Sequence, residues 1–135
     1  MADYLLDSNH ANRLVDPCHP VRLRVRAAIA QGDVFYVILP VITETVFGFS
    51  ILPRAVRNRL EWQVVRPSLV LLDLDEVHAM DAADLQVRLR RSGRQLTIVD
   101  ALIAVAALRH NLVVLTSDND FSHVPQLHSE NWLVQ

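Results

Sequence analysis

Thr97-Ile98-Val99-Asp100-Ala101-Leu102-Ile103-Ala104-Val105-Ala106-Ala107-Leu108-Arg109-His110 leads through Asn111 into Leu112-Val113-Val114-Leu115-Thr116 and then Ser117-Asp118-Asn119-Asp120. The first segment has helical length and is apolar nearly all round, which predicts a buried helix. The second is a short β-branched run closed by turn-forming residues, which predicts a buried strand. A buried helix feeding a buried strand is half of the repeating unit of an α/β sheet. Each piece also carries a carboxylate where apolar residues dominate: Asp100 in the first turn of the helix and Asp118 just past the strand.

The same alternation runs through the rest of the chain. Tyr4–Leu6, Val34–Leu39 and Leu69–Leu72 are expected as strands, and Trp132–Gln135 as a short last one. Pro20–Gln31, Val41–Ile51, Arg54–Val65 and Glu76–Arg91 are expected as helices, punctuated by Pro20, Gly32, Pro40, Pro67 and Ser92-Gly93. No repeat, low-complexity tract or linker interrupts the pattern, so residues 1–135 are expected to form one domain. With 51% hydrophobic and 21% charged residues, and only three Gly and six Pro, extended disorder is not expected.

Composition also removes several functions. All 13 cationic side chains are arginine, which excludes a P-loop lysine and a Schiff-base amine. The single cysteine, Cys18, cannot form an internal disulfide and fits a reducing, cytoplasmic setting. Asp3 and Asp7 stand where a signal peptide would be basic and then apolar, and Glu44 and Asp100 interrupt the two most apolar regions, so neither export nor membrane insertion is expected. A net charge of −2 argues against nucleic-acid binding by bulk electrostatics. Local arginine clusters would have to do that work: Arg22-Arg24-Arg26, Arg54-Arg57-Arg59 and Arg88-Arg90-Arg91-Arg94, although such runs more commonly mark solvated helix faces. The six histidines show no HxxxH or HExxH spacing, and Ser8 lacks a nucleophile-elbow context. Trp62 and Trp132 could stack on bases, but isolated indoles more often pack at a core edge.

Four acids remain to be explained. Asp7 follows Tyr4-Leu5-Leu6, Glu44 sits within Val41–Phe47, and Asp100 and Asp118 have been described. Chain direction alone gathers them. Asp7 and Asp118 lie beyond the carboxyl ends of their strands, while Glu44 and Asp100 lie in the first turns of helices that start at that same end. Open α/β sheets bind ligands there. Carboxylates in apolar surroundings need partners, and like charges raise one another's pKa, so a divalent cation is the leading candidate for what holds them. Hard oxygen donors suit Mg²⁺ or Mn²⁺, with Asp7 and Asp100 as first choices and Glu44 and Asp118 completing the rim. Such ions could orient a phosphodiester and activate water, one ion or two being compatible with four acids. Asn9 and Thr116 are expected to position acids or water, and Asp120 either adds a carboxylate or serves only the turn before Phe121. Each acid also has an ordinary structural use. Asp7 and Glu44 could serve helix N-termini, Thr97-x-x-Asp100 resembles a capping box, and Asp118 could make an Asx-turn. Their coincidence at one sheet end is what the ordinary uses do not explain.

Tyr4-Leu5-Leu6-Asp7-Ser8-Asn9, Ile42-Thr43-Glu44-Thr45-Val46-Phe47-Gly48, Gly93-Arg94-x5-Asp100-Ala101-Leu102-Ile103-Ala104 and Leu115-Thr116-x-Asp118-x-Asp120-Phe121 together resemble PIN domains, especially the small VapC-like toxins of toxin–antitoxin pairs. The motifs occur in family order over nearly the whole chain. Ser8 stands where threonine is usual, and Val105 where a second alanine is common. The resemblance implies a three-layer α/β/α sandwich with a central, mostly parallel sheet of four to five strands. It further implies Mg²⁺- or Mn²⁺-dependent endoribonuclease activity on RNA, a homodimer and a cognate VapB-like antitoxin. The competing expectation is a noncatalytic binding or regulatory module with a metal-stabilised acidic pocket. A phosphoacceptor receiver domain is weaker, because the lysine it would use is missing.

Overall fold

The structure, a computed structural model, describes residues 2–134. Five strands, β1 (Asp3–Leu6), β2 (Val34–Val37), β3 (Val70–Leu71), β4 (Val113–Leu115) and β5 (Ser129–Glu130), form one sheet in the order β3-β2-β1-β4-β5. Every adjacent pair is parallel. Six α-helices connect them: α1 (Ser8–Ala11), α2 (Pro20–Ala30), α3 (Leu39–Ser50), α4 (Ala55–Val65), α5 (Glu76–Arg91) and α6 (Ile98–His110).

The strand order fixes which face each helix covers. From β1 to β3 the chain moves one way across the sheet, and from β3 to β4 it moves back past β1. Right-handed crossovers then place α1–α4 on one face and α5–α6 on the other. Helix contacts follow this division: α5 packs on α6, while α3 packs on α1 and α4, and no comparable contact joins the two groups. The reversal leaves a crevice between β1 and β4, at their carboxyl ends. Central strands buried on both faces require continuous apolar runs, and Leu5, Leu6, Phe35, Val37, Val114 and Leu115 are fully buried.

Local chemistry sets the ends of these elements. Gly93, at φ 78°, closes α5 in a Schellman motif, with the Gly93 N–H donating to the Arg90 carbonyl and the Arg94 N–H to the Leu89 carbonyl. Asn111, left-handed at φ 55°, turns α6 directly into β4. Pro40 lies inside the first turn of α3, where its missing N–H costs nothing, so the helix begins at Leu39 rather than after the proline. Glu44 consequently falls in the second turn of α3, not the first.

Two other expectations change. The last strand is Ser129–Glu130, not Trp132–Gln135, whose final residue lies outside the described residues. Trp132 cannot join the ladder because its N–H donates to His10 Nε2 (3.0 Å) while its indole packs edge-on against Tyr4 and Phe35, at centroid distances of 5.1 and 5.8 Å. The Arg22-Arg24-Arg26 run is not simply a solvated face. Arg22 is buried and donates to the Leu14 carbonyl (3.0 Å) and Glu61 (2.7 Å), and the Arg24 guanidinium lies 3.8 Å from the Trp132 ring centroid.

Candidate active site

Asp7 is the buried anchor of the crevice. It caps α1 by accepting the Ser8 N–H at Oδ1 (2.8 Å), and Oδ2 accepts from the Thr116 hydroxyl (2.7 Å) and Asn9 Nδ2 (3.1 Å). Thr116 also receives the Asp118 N–H at its Oγ1 (3.0 Å), so one hydroxyl ties the end of β1 to the turn after β4. Asn9 does the same with its other end, accepting the Ser117 N–H at Oδ1 (3.2 Å). At 4% exposure, burial is the main cause that raises the Asp7 pKa; the Thr116 and Ser8 hydrogen bonds pull it down and the Asp118 charge pushes it up.

Asp100, Asp118 and Asp120 can place one oxygen each within 4.8 Å of one another. Asp100 stands in the first turn of α6, where the Thr97 hydroxyl accepts its N–H (3.2 Å), so Thr97 is the cap, as the Thr97-x-x-Asp100 pattern suggests. The Asp118 Oδ1 accepts the Asp120 N–H (2.9 Å) and starts the 3-10 helix Asn119–His123, which swings Asp120 back toward the cluster. The turn role and the carboxylate role of this segment therefore coincide. Partial burial, then the charges of Asp7 and Asp118, push the Asp100 pKa up to about 7. Glu44 is also raised, by partial burial and then by Asp7, which puts it within electrostatic reach across the crevice although its side chain is exposed.

Among the described residues, none of Asp7, Asp100, Asp118 and Asp120 forms an ion pair with arginine or histidine. Crowded, unpaired, hard oxygen donors with one carboxyl titrating near neutrality fit a divalent cation such as Mg²⁺ or Mn²⁺. Asp100, Asp118 and Asp120 are the residues that could hold it most directly, with Asp7 and Glu44 at the margin. A cleft of about 730 Å³ opens from Asp120 past Thr97, Ile98, His123 and Arg94, giving a bulky ligand access to the Asp120 side of the cluster.

One supporting residue has no signal in the sequence. His10 is fully buried, and its ring is fixed as the neutral Nδ1–H tautomer: Nε2 receives the Trp132 N–H, so Nδ1 donates to Asn9 Oδ1 (2.7 Å). Burial, helped by the Arg13 and His19 charges, lowers its pKa to about 4. It thus braces Asn9, and through Asn9 the Asp7 carboxylate, against the carboxyl-terminal segment. No metal-ligand or catalytic spacing marks such a residue, because its partners are 122 positions and one position away.

Comparison with known proteins agrees with this geometry. The PIN domain model matches residues 4–127. Ribonuclease VapC51 of Mycobacterium tuberculosis is 35% identical over 137 residues, spanning 97% of this chain and 93% of that protein. Two solved structures share the fold: VapBC2 from Rickettsia felis bound to a promoter DNA fragment (TM-score 0.82, 21% identity, 96% of this chain and 98% of that one) and DNA-bound VapBC from Salmonella typhimurium (TM-score 0.80, 22% identity, 98% and 99%). The sandwich with its all-parallel five-stranded sheet, the ordered acidic motifs and these matches establish that the chain belongs to the PIN-domain family, as a homologue of VapC ribonucleases.

Proposed function

We propose that this protein is a Mg²⁺- or Mn²⁺-dependent endoribonuclease that hydrolyses RNA phosphodiesters, the toxin of a VapBC-type pair restrained by a cognate VapB-like antitoxin. The observation that carries the reading is the carboxylate cluster of Asp100, Asp118 and Asp120 beside buried Asp7, at the switch point of a sheet in a homologue of a ribonuclease. Asp7, Glu44, Asp100 and Asp118 are assigned as the catalytic and metal-holding acids, with Asp120 joining them and Asn9 and Thr116 in support. A divalent cation held there supplies Lewis-acid stabilisation of a phosphodiester and a water of lowered pKa.

The side chains contribute positioning and charge. Three hydrogen bonds hold the Asp7 carboxylate in one orientation, so no reorganisation is needed when a phosphodiester arrives. Asp100, its pKa pushed up to about 7, is only partly ionised near neutral pH and would lose its remaining proton when a cation compensates its neighbours. The exposed apolar residues Phe47 on α3, Ile51 at its C-terminal cap, and Val56 and Leu60 on α4 support a partner that covers this face, as expected for an antitoxin and a homodimer. Among the described residues, no helix is long and apolar enough to cross a membrane.

The decisive test is incubation with a panel of structured and single-stranded RNAs in Mg²⁺ or Mn²⁺, with and without EDTA, alongside Asp7→Asn and Asp100→Asn. Cleavage lost with EDTA and in both variants is the expected result. Stoichiometric cation uptake with every RNA left intact would instead establish the noncatalytic module.

A further inference from the structure

A second cleft begins one turn along α3 from Glu44. It has a volume of about 490 Å³ and is lined by Phe49, Leu52 and Pro53 on an apolar floor, with Arg13, Arg54 and Arg57 on its walls. Two elements lead into it from the acids. Gly48, also on its wall, is one turn beyond Glu44 on α3, roughly 6 Å along the helix axis. Arg13 belongs to the 3-10 helix Asn12–Val15 that directly continues α1, whose cap is Asp7. Among the described residues none of the three guanidiniums has an ion-pair or hydrogen-bond partner, whereas Arg22 and Arg109 elsewhere are paired with acids. His19 adds a further donor, and Asp16 is the single acid on the lining, its carboxylate already accepting the Cys18 N–H (3.0 Å).

We infer that this cleft binds the sugar–phosphate backbone of single-stranded RNA next to the bond presented to the acids, with Arg13, Arg54 and Arg57 on successive phosphates and the exposed Leu52 and Pro53 under a base, backed by buried Phe49. This rests on the ribonuclease reading of the acidic crevice and adds where the substrate is held. The electrostatic need is plain: a chain of net charge −2, with its acids crowded at the reaction site, repels a polyanion unless fixed cations flank that site. Unpaired arginine forks suit phosphates, and an apolar floor suits a base face without reading its sequence. Gly48 borders open space, since a Cβ built there meets no atom within 4 Å.

Binding of a fluorescein-labelled single-stranded oligoribonucleotide, followed by anisotropy in EDTA and in Mg²⁺, tests the assignment separately from cleavage. The Arg54→Ala/Arg57→Ala double variant is expected to weaken binding roughly tenfold or more and to flatten the slope of log K against log salt by about 1.4, two single-strand phosphate contacts at ~0.7 each. Gly48→Glu places a carboxylate in the entrance while improving helix propensity, so it should lose binding with no loss of melting temperature. If both variants bind and cleave RNA like the wild type, the cleft assignment falls and the nuclease reading stands. If binding is lost in both variants while the wild type cleaves nothing, the cleft stands and the nuclease reading falls. If the wild type binds no oligoribonucleotide, or an acidic peptide such as polyglutamate competes it away through Arg54 and Arg57 at lower concentration, the occupant is a protein segment and the inference is overturned.

Discussion

Replacing Asp100 with asparagine separates a metal-holding acid from a helix cap. Its carboxyl is raised from 3.8 to about 7, which corresponds to about 4 kcal/mol of unfavourable ionisation in the metal-free fold at pH 8 if nothing screened it. The side chain is only half buried, so solvent screening reduces this to roughly 1–2 kcal/mol. Asparagine keeps the shape and removes the charge. The N-terminal cap of α6 survives, because it is the Thr97 hydroxyl that accepts the N–H of residue 100. For 135 residues the gain is a rise of about 4 to 7 °C in melting temperature without metal. Wild type should recover more than this on adding Mg²⁺, about 3 kcal/mol at a hundredfold excess over Kd, and the variant should recover little. Differential scanning fluorimetry at pH 8, with EDTA and across a Mg²⁺ titration, reads both effects. Thr97→Ala is the control: it should lose about 1 kcal/mol and keep its response to Mg²⁺. A metal-free Asp100→Asn protein less stable than wild type, or one stabilised by Mg²⁺ as fully as wild type, would refute the charge-repulsion argument.

The same carboxyl makes cation uptake pH-dependent. Below pH about 7 a proton must leave Asp100, so Mg²⁺ affinity by calorimetry should rise roughly tenfold per pH unit from pH 5.5 to 7 and then level off, with proton release detected as a buffer-dependent enthalpy. His10 titrates with the opposite consequence for stability. Its folded pKa of about 4 lies below the unfolded value of 6.5, so the stability it contributes is intact above pH 6.5 and falls as the pH drops toward 4. About 2 kcal/mol should be lost between pH 7 and 5 in urea unfolding of an Asp100→Asn background, where the opposing Asp100 titration is gone, and His10→Gln should abolish that loss. Thr116→Val removes the 2.7 Å hydrogen bond to Asp7 and the acceptor for the Asp118 N–H; unfolding should show a cost of about 1–3 kcal/mol, and RNA cleavage should fall more in kcat than in KM.

Much of the molecule follows from local sequence. The apolar runs at Leu5-Leu6, Phe35–Val37 and Val113–Leu115, alternating with long helical patterns, can only be satisfied by strands covered on both faces, and parallel direction then carries Asp7 and Asp118 to one end. Gly93 closes α5 where a left-handed residue is needed, as Ser92-Gly93 suggests. The acids are legible for a related reason: charge within an apolar run is costly, so its presence signals a use.

What stays hidden depends on partners distant in sequence. Trp132 looks like a strand residue until its N–H is claimed by His10 and its ring by Tyr4 and Phe35. His10 carries no motif, yet its tautomer is fixed from both sides by the fold. Asp120 is indistinguishable from a turn residue in the sequence, and only the 3-10 helix started by Asp118 returns it to within 4.8 Å of Asp100. Arg22 and Arg54 belong to similar arginine runs, but one is buried against Glu61 and the other lines an open cleft. Hydrophobic period and turn chemistry act over a few residues and are written in the chain itself. Hydrogen-bond partners and unpaired charges are set only when segments a hundred positions apart close on one another, and that closure is decided by the tertiary structure.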